Sequence, residues 1–224
     1  MHADEMASLR ADLTRRFRTA SRELELAGRT VRLLMPANAD DLISEADFDR
    51  DERLPYWADL WPSARILAEE LAVMRLGGQR VLELGCGLGL VSLGAVLGGA
   101  AVTATDYYED ATRFALLNVA DATGKRIDAR MVNWVELPRD LGKFDVVLAS
   151  DVLYEHRYAS LVASAIAATL VRGGEAIVAD PGRIALREFL DECESLGLEH
   201  ESDPRPFVDG EIRQTVTLWK LRWR

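Results

Sequence analysis

The chain has 224 residues, 49% of them hydrophobic, which is enough for one sizeable domain with a full core. Aspartate and glutamate outnumber lysine and arginine by 37 to 27, and the net charge of −10 disfavours nucleic acid as the main partner. No apolar run approaches the roughly 18 residues of a membrane helix, and two cysteines without metal-ligand spacing predict a cytoplasmic protein with neither a disulfide nor a metal site.

The first predicted elements form an N-terminal segment of mixed structure. Apolar residues recur every three to four positions over 5–17, which predicts a helix. Residues 22–26 and 30–34 follow, either as two short strands joined by a tight turn or as a loosely docked arm. Seven acidic side chains then fall within 38–55, which favours a solvated loop over a lid that attracts a cationic substrate.

An aromatic-dense stretch, PYWADLW, precedes the next predicted helix. One of its two tryptophans, Trp57 or Trp61, is expected to hold the N-terminal segment against the rest of the protein. Pro62 suits the first turn of a helix, and an apolar face continues behind it to Met74. The helix is predicted to end near Gly77 and to lead into a buried strand.

The central motif is that strand, Val81 to Leu84, followed by glycines at every second position. Gly85, Gly87 and Gly89 come before an apolar run of helix length. Alternate glycines let the backbone turn tightly and approach a bulky ligand, because no Cβ stands in the way. A strand, a glycine loop and a helix in this order are typical of the cofactor corner of a doubly wound α/β fold.

Strands and helices alternate over the rest of the chain. A helix that ends before Gly124 and two further helices over 157–170 and 184–196 are predicted from apolar periodicity. Strands are predicted over 101–105, 128–132, 144–150, 175–179, 198–202 and 215–223. No helix fits between the last two strands, which are therefore expected to form an antiparallel edge pair joined by a loop over 203–211.

Two acidic residues and one missing glycine indicate the cofactor. Asp106 ends the second strand 17 positions beyond Gly89, close to the spacing at which such folds place a carboxylate against ribose hydroxyls. Nicotinamide enzymes favour a third glycine where this chain has Leu90. The charge of Glu83 would oppose a pyrophosphate but suits an ammonium group. S-adenosylmethionine, which has an ammonium and no phosphate, is therefore favoured, with NAD as the second candidate.

The sequence resembles the class I, or seven-β-strand, S-adenosylmethionine-dependent methyltransferases, and more narrowly the family of protein lysine methyltransferases among them. The resemblance spans about residues 55–219 and rests on the blocks LWPSARILAEEL, VLELGCGLGLVSLGA, VTATD and ASDVLY. It implies an α/β, doubly wound, Rossmann-like sheet of seven mostly parallel strands with an antiparallel edge strand. We accordingly expect a methyltransferase domain over 55–224 and an N-terminal extension over 1–54.

Position by position, the resemblance implies a cofactor site and an acceptor site, with no metal. Asp106 would bind the ribose hydroxyls, Trp134 would lie against the adenine, and Trp61 would close the pocket. Asp151 would accept a hydrogen bond from the acceptor amine and Tyr154 would supply an aromatic face or a hydroxyl. The full set implied for cofactor binding is Trp61, Glu83, Gly85, Gly87, Gly89, Asp106, Trp134 and Ser150.

Three functions follow from these expectations. The first is N-methylation of a lysine side chain in a protein substrate, with S-adenosyl-L-homocysteine as the product of the cofactor. The second is methylation of a small-molecule amine in the same pocket. The third is a non-catalytic cofactor-binding interaction module, which the presence of Asp106, Asp151 and Tyr154 disfavours. A monomer that binds neither nucleic acid nor a membrane is expected in each case.

Overall fold

The computed structural model describes residues 2–42 and 55–224 of the chain. Most of the acidic loop predicted over 38–55 therefore lies outside the described residues. The helices are α1 (His2–Arg16), α2 (Pro62–Val73), α3 (Leu90–Leu97), α4 (Glu109–Thr123), α5 (Arg157–Thr169) and α6 (Leu186–Ser195), with short 3-10 turns at Ala39–Leu42 and Tyr56–Ala58. The strands are β1 (Thr19–Leu26), β2 (Arg29–Pro36), β3 (Arg80–Leu84), β4 (Ala101–Asp106), β5 (Asp128–Met131), β6 (Phe144–Ser150), β7 (Leu170–Asp180), β8 (Leu198–Asp209) and β9 (Ile212–Trp223).

Seven strands form one sheet in the order β5-β4-β3-β6-β7-β9-β8. The first five strands of that order pair in parallel, and β9 pairs antiparallel with both β7 and β8. The predicted α/β fold with an antiparallel pair at one edge is confirmed. From β3 the chain moves to β4 on one side and later to β6 on the other, so the order reverses between β3 and β6. Ligands bind at such a reversal, outside the carboxyl ends of the strands.

Side chains alternate between the two faces of the sheet, and both faces are buried under helices. In β3, Val81 packs under the face covered by α2, α3 and α4, whereas Leu82 packs toward α5 and α6. Neighbouring strands alternate in the same way because successive strand residues point to opposite faces. Both layers of helices are thereby fixed to one sheet, which is the doubly wound arrangement. None of the described helices is long and apolar enough to cross a membrane.

The N-terminal strands form a separate antiparallel hairpin, and not a loose arm. Ala27 and Gly28 both have positive φ, 50° and 73°, as the tight turn between twisted strands requires. Leu26 and Leu33 are buried in the same apolar cluster as α2 and α3. This hydrophobic contact fixes the hairpin against the main sheet.

The largest differences from the predicted element boundaries are in two strands. β7 begins at Leu170 and includes the glycine pair that was expected to end the preceding helix. β8 extends to Asp209 through Pro204 and Pro206, although 203–211 was predicted to be a loop. Proline is tolerated in β8 because an edge strand has one side of its backbone without a strand partner.

Candidate active site

A cavity opens at the carboxyl ends of β3, β4 and β6, where the strand order reverses. Its walls come from the glycine loop, the turn before α2, the ends of the three strands and the start of α5. The sequence-predicted site residues that line this cavity are Trp61, Gly85, Gly87, Asp106, Trp134, Ser150, Asp151 and Tyr154. Folding therefore brings together residues that are up to 93 positions apart in the sequence (154 − 61).

The glycine loop forms the floor of the cavity with its backbone. Gly85 and Gly87 have φ values of 75° and 48°, which favour glycine over other residues. A Cβ at Gly85 would lie 2.9 Å from Cγ1 of Val152, and one at Gly87 would lie 3.0 Å from the carbonyl oxygen of Trp57. The N–H of Gly85 donates to the carbonyl of Thr105 at 2.8 Å, which ties the loop to β4. Only glycine fits at these two positions without displacing the neighbouring wall.

Asp106, at the end of β4, holds the glycine loop through a hydrogen bond to its backbone. Its carboxylate accepts hydrogen bonds from the N–H groups of Gly87 and Tyr108, both at 3.0 Å. Burial raises the pKa of Asp106 to about 6, while these two N–H donors act to lower it. The group is therefore mostly ionised at neutral pH and presents a negatively charged acceptor to the cavity.

Glu83 and Gly89 do not belong to the cavity lining, although the sequence predicts both to surround the cofactor. Glu83 shares the sheet face of Val81, and its carboxyl group accepts from the Ser92 hydroxyl of α3. Burial raises the pKa of Glu83 to about 8 against the opposing effect of Ser92. A Cβ at Gly89 would lie 2.6 Å from Cα of Ala115, so Gly89 serves the close packing of α3 on α4. Both residues support the loop from beneath.

Aromatic rings enclose the remaining side of the cavity. Tyr154 contacts Tyr56 and Tyr158 edge to face, with ring centroids 5.2 and 4.9 Å apart. Trp134 extends this row, 5.7 Å from Tyr158, and Trp61 packs on Tyr56 at 6.0 Å. Burial raises the pKa of Tyr154 well above its ordinary value, which keeps its hydroxyl protonated. Such a row of edge-to-face rings makes an apolar wall with few polar groups.

Sequence reasoning missed two members of this aromatic row. Tyr56 lies in the PYW stretch, whose density of rings was the available signal. Tyr158 is the second residue of α5, where a buried tyrosine cannot be told from an ordinary core residue by its spacing. The anchor expected among the tryptophans is Trp57, whose ring packs against Phe17 and Phe114.

Asp151, directly after β6, has an unusual environment. Its φ of 59° is rare for a residue other than glycine and costs about 1–2 kcal/mol. The N–H of Asp151 donates to the carbonyl of Ala179 at 3.0 Å, which holds this conformation. Nε of Arg183 donates to Oδ1 of the carboxylate at 2.6 Å, and the guanidinium lies 5.2 Å from the ring centroid of Trp61. The sequence did not indicate this role for Arg183.

The second carboxylate oxygen of Asp151 has no hydrogen-bond partner among the described residues, and it is buried. The same is true of the indole N–H of Trp134. Buried polar atoms are nearly always hydrogen-bonded in native proteins. An unpaired acceptor and an unpaired donor on the lining of one cavity indicate a site that a ligand completes.

Comparison with known proteins identifies the family. A family model described as lysine methyltransferase matches residues 55–184. The chain is 31% identical over 135 residues to an electron transfer flavoprotein beta subunit lysine methyltransferase of Xenopus laevis, with 58% of this chain and 53% of that protein covered. It is 35% identical over 109 residues to a ubiquinone biosynthesis O-methyltransferase of Dechloromonas aromatica, with 48% and 47% covered. The chain thus spans about half the length of the curated relatives it matches.

A solved structure supports the fold. A magnesium protoporphyrin IX methyltransferase from Synechocystis, crystallised with S-adenosylmethionine, superimposes with a TM-score of 0.60 at 20% identity and covers 81% of this chain and 94% of its own. At 20% identity this similarity supports the fold alone. The family model covers more than half of the chain and includes both the glycine loop and Asp151. The chain belongs to the lysine methyltransferase family.

Proposed function

We propose that the protein is an S-adenosylmethionine-dependent methyltransferase whose acceptor is the side-chain nitrogen of a lysine in a protein substrate. One observation carries this proposal. One cavity is lined on one side by the glycine loop and the ionised Asp106, and on the other by the aromatic wall and the buried Asp151. One carboxylate oxygen of Asp151 has no hydrogen-bond partner among the described residues. Membership of the lysine methyltransferase family supports the choice of reaction and acceptor.

The lining fits S-adenosylmethionine by its shape and its charge. Gly85 and Gly87 line the cavity and have no side chains, so the loop backbone itself can lie against the methionine part. Asp106 offers two oxygens to the ribose hydroxyls, and Trp134 offers a ring face and an unpaired N–H near the adenine. The carboxylates of the lining suit a cofactor with two positive charges better than a dinucleotide with a pyrophosphate. We propose that Trp61 and Ser150 complete this site.

The chemistry of the site depends on alignment and on the exclusion of water. When bound, the cofactor supplies a methyl group on a positively charged sulfur to an amine that approaches in line. A lysine amine must first lose its proton, because its ordinary pKa is about 10.4. The rings of Tyr56, Tyr154 and Tyr158 desolvate the amine and so lower its pKa. Asp151 accepts a hydrogen bond from the nitrogen and orients its lone pair.

A small-molecule acceptor is the second candidate. The similarity to a ubiquinone biosynthesis O-methyltransferase, which matches 109 residues at 35% identity, favours it. An aromatic wall would also accept a flat organic molecule. Both candidates would use the same cofactor site, because the fold does not determine which acceptor is methylated.

Incubation of a cell lysate with the purified protein and methyl-labelled S-adenosylmethionine tests the proposal. We expect the label in one protein band, and its loss with Asp151→Ala. Label confined to the small-molecule fraction would favour the second candidate. We further propose that the protein acts as a monomer in the cytoplasm, where its two free, buried cysteines, Cys86 and Cys193, stay reduced.

A further inference from the structure

Asp151 and Arg183 form an ion pair at the acceptor end of the cavity, which is the part lined by Asp151 and Tyr154. The pair engages only one of the two carboxylate oxygens of Asp151. The side chain of Asp151 is only 3% exposed, whereas that of Arg183 is 33% exposed. Oδ1 of Asp151 accepts from Nε of Arg183, and Oδ2 is the buried atom without a partner among the described residues. The arginine therefore takes one side of the carboxylate and leaves the other side for a different donor.

The backbone turn after β7 holds Arg183 in this position. Oδ1 of Asp180 accepts from the N–H groups of Gly182 and Arg183, both at 2.7 Å. The guanidinium then lies over the ring of Trp61, within the range of a cation–π contact. Arg183 thus contacts Asp180 at the end of β7, Asp151 after β6 and Trp61, the residue before α2. Asp180 holds the backbone of Arg183, and Asp151 and Trp61 hold its side chain, so the guanidinium has little freedom to leave the carboxylate.

We propose that Arg183 is a positioning residue that cancels the charge of Asp151 and leaves Oδ2 as the acceptor for the substrate amine. This inference rests on the proposed function and names the electrostatic setting of the same site. A lone buried carboxylate would stabilise the charged ammonium form of a lysine and so oppose the loss of its proton. A carboxylate paired with a guanidinium can still accept a hydrogen bond, but it attracts a cation much less. The pair orients the amine without holding it in its unreactive form.

Other charged groups near the pair do not replace this effect. Arg157, on α5, forms its ion pair with Glu155 at 2.7 Å and is therefore already compensated. The other acidic or basic groups that line the cavity or interact with the Asp151–Arg183 pair are Asp59, Asp106, Arg157 and Asp180. Most of these groups are acids, so loss of the Arg183 charge would leave the acceptor end strongly attractive to a cation.

A pair of cofactor analogues measures this charge without any methyl acceptor. Sinefungin carries an amine in place of the methyl-bearing sulfur, whereas S-adenosylhomocysteine has a neutral sulfur there. The ratio of their affinities, measured by calorimetry, reports how strongly the site attracts a cation. With Arg183→Met we expect the ratio to rise in favour of sinefungin by about tenfold, which corresponds to one pKa unit of interaction. Arg183→Lys keeps the charge and should keep the ratio close to that of the original protein.

Asp151 variants provide the matched controls. Asp151→Asn leaves the guanidinium uncompensated and should lower the ratio by about tenfold, whereas the double variant Asp151→Asn, Arg183→Met should return it toward the original value. A merely structural role of Arg183 would change both affinities together. An unchanged ratio in Arg183→Met or in Asp151→Asn would overturn the inference and leave the proposed function standing. Failure of the original protein to bind S-adenosylhomocysteine would instead refute the proposed function.

Discussion

Two buried carboxyl groups lie on opposite sides of the glycine loop, and burial raises the pKa of each. Asp106, with a pKa of about 6, lines the cavity and accepts hydrogen bonds from the N–H of Gly87 in the loop and from the N–H of Tyr108 after β4. Glu83, with a pKa of about 8, lies beneath the loop against α3. At neutral pH the first is mainly charged and the second mainly neutral. Their different environments therefore assign them different roles, although both flank the same motif.

We expect Glu83→Gln to flatten the pH dependence of the free energy of unfolding. Because the pKa of Glu83 is raised in the folded protein, its contribution to stability is complete below about pH 4.5 and is lost as the pH rises through about 8. The loss for one such group is about 1.4 kcal/mol per pH unit within that window. Glutamine resembles the protonated form and has no proton to lose. Urea unfolding between these limits measures the slope; equal slopes in both proteins would contradict the assignment.

Asp106→Asn should weaken the binding of S-adenosylhomocysteine and change how binding responds to pH. Ribose hydroxyls donate to the ionised carboxylate, so affinity in the original protein should fall by up to about tenfold per pH unit below the pKa of about 6. The asparagine variant should bind more weakly at neutral pH and show no such fall. Calorimetric titrations at several pH values measure both effects. Unchanged affinity at neutral pH would remove Asp106 from the cofactor site.

Sequence patterns predict the residues at strand ends better than they predict orientation. Asp106 was predicted from its place at a strand end 17 positions beyond Gly89, and Asp151 from the resemblance of the ASDVLY block to the family. Glu83 precedes the loop by two positions, and only the alternation of β3 shows that its side chain faces α3 and not the cavity. Arg183 was missed because its contact with Asp151 spans 32 positions and depends on the backbone turn after β7.

At the scale of elements, the glycine loop, α3 and α4 meet in a close backbone contact at Gly89. Gly89 precedes the first residue of α3, with a φ of 82°. Its missing side chain lets α4 approach the start of α3. A β-carbon there would overlap Ala115, so this approach fixes how the loop enters the helix. The conformation of the glycine loop and the packing of α3 on α4 therefore depend on each other.

Gly89→Ala should destabilise the protein by about 3 kcal/mol or more, because it combines overpacking with a positive φ. Gly124→Ala is the matched control, since Gly124 has a φ of 68° but nothing within 4 Å of the added carbon. The control should cost only about 1 kcal/mol. Urea unfolding of the two variants measures the difference. Equal costs would show that backbone conformation alone, and not the contact with α4, restricts Gly89.

The boundaries of elements were predictable where composition changes and uncertain where it does not. β6 was predicted with its observed bounds because its mostly apolar run ends in Ser150 and is followed by Asp151. β8 was predicted too short, since prolines at 204 and 206 suggest a loop. Its position at the edge of the sheet, which a sequence does not reveal directly, decides that prolines are tolerated there.

At the scale of the whole molecule, the N-terminal segment is built into the core. The side-chain amide of Asn118, on α4, accepts from the N–H of Leu34 at 2.8 Å and donates to the carbonyls of Leu34 and Leu88 at 3.0 and 2.9 Å. It thereby links the hairpin to the glycine loop. Trp57 and Phe114 add an aromatic contact with Phe17. The family model begins at residue 55, although these contacts extend further toward the N-terminus.

Removal of residues 1–54 should therefore prevent cooperative folding of the remainder. The truncation exposes Phe114 and leaves the buried amide of Asn118 with two of its three hydrogen bonds broken, at a cost of about 1–3 kcal/mol for the unpaired groups alone. Circular dichroism during urea unfolding is the measurement. Removal of residues 1–17 alone, which keeps the hairpin, should be less damaging. If residues 55–224 unfold at the same urea concentration as the full chain, the segment is a separate addition and not part of the core.

The central claim is that methyl groups pass from S-adenosylmethionine to the side-chain nitrogen of protein lysines. Its most direct test is amino-acid analysis of the labelled protein fraction after incubation of a lysate with methyl-labelled cofactor. The account predicts label in methylated lysine, and its absence when Asp151→Ala replaces the original protein. Label recovered as an O-methyl product, or equal labelling by the Asp151 variant, would contradict it.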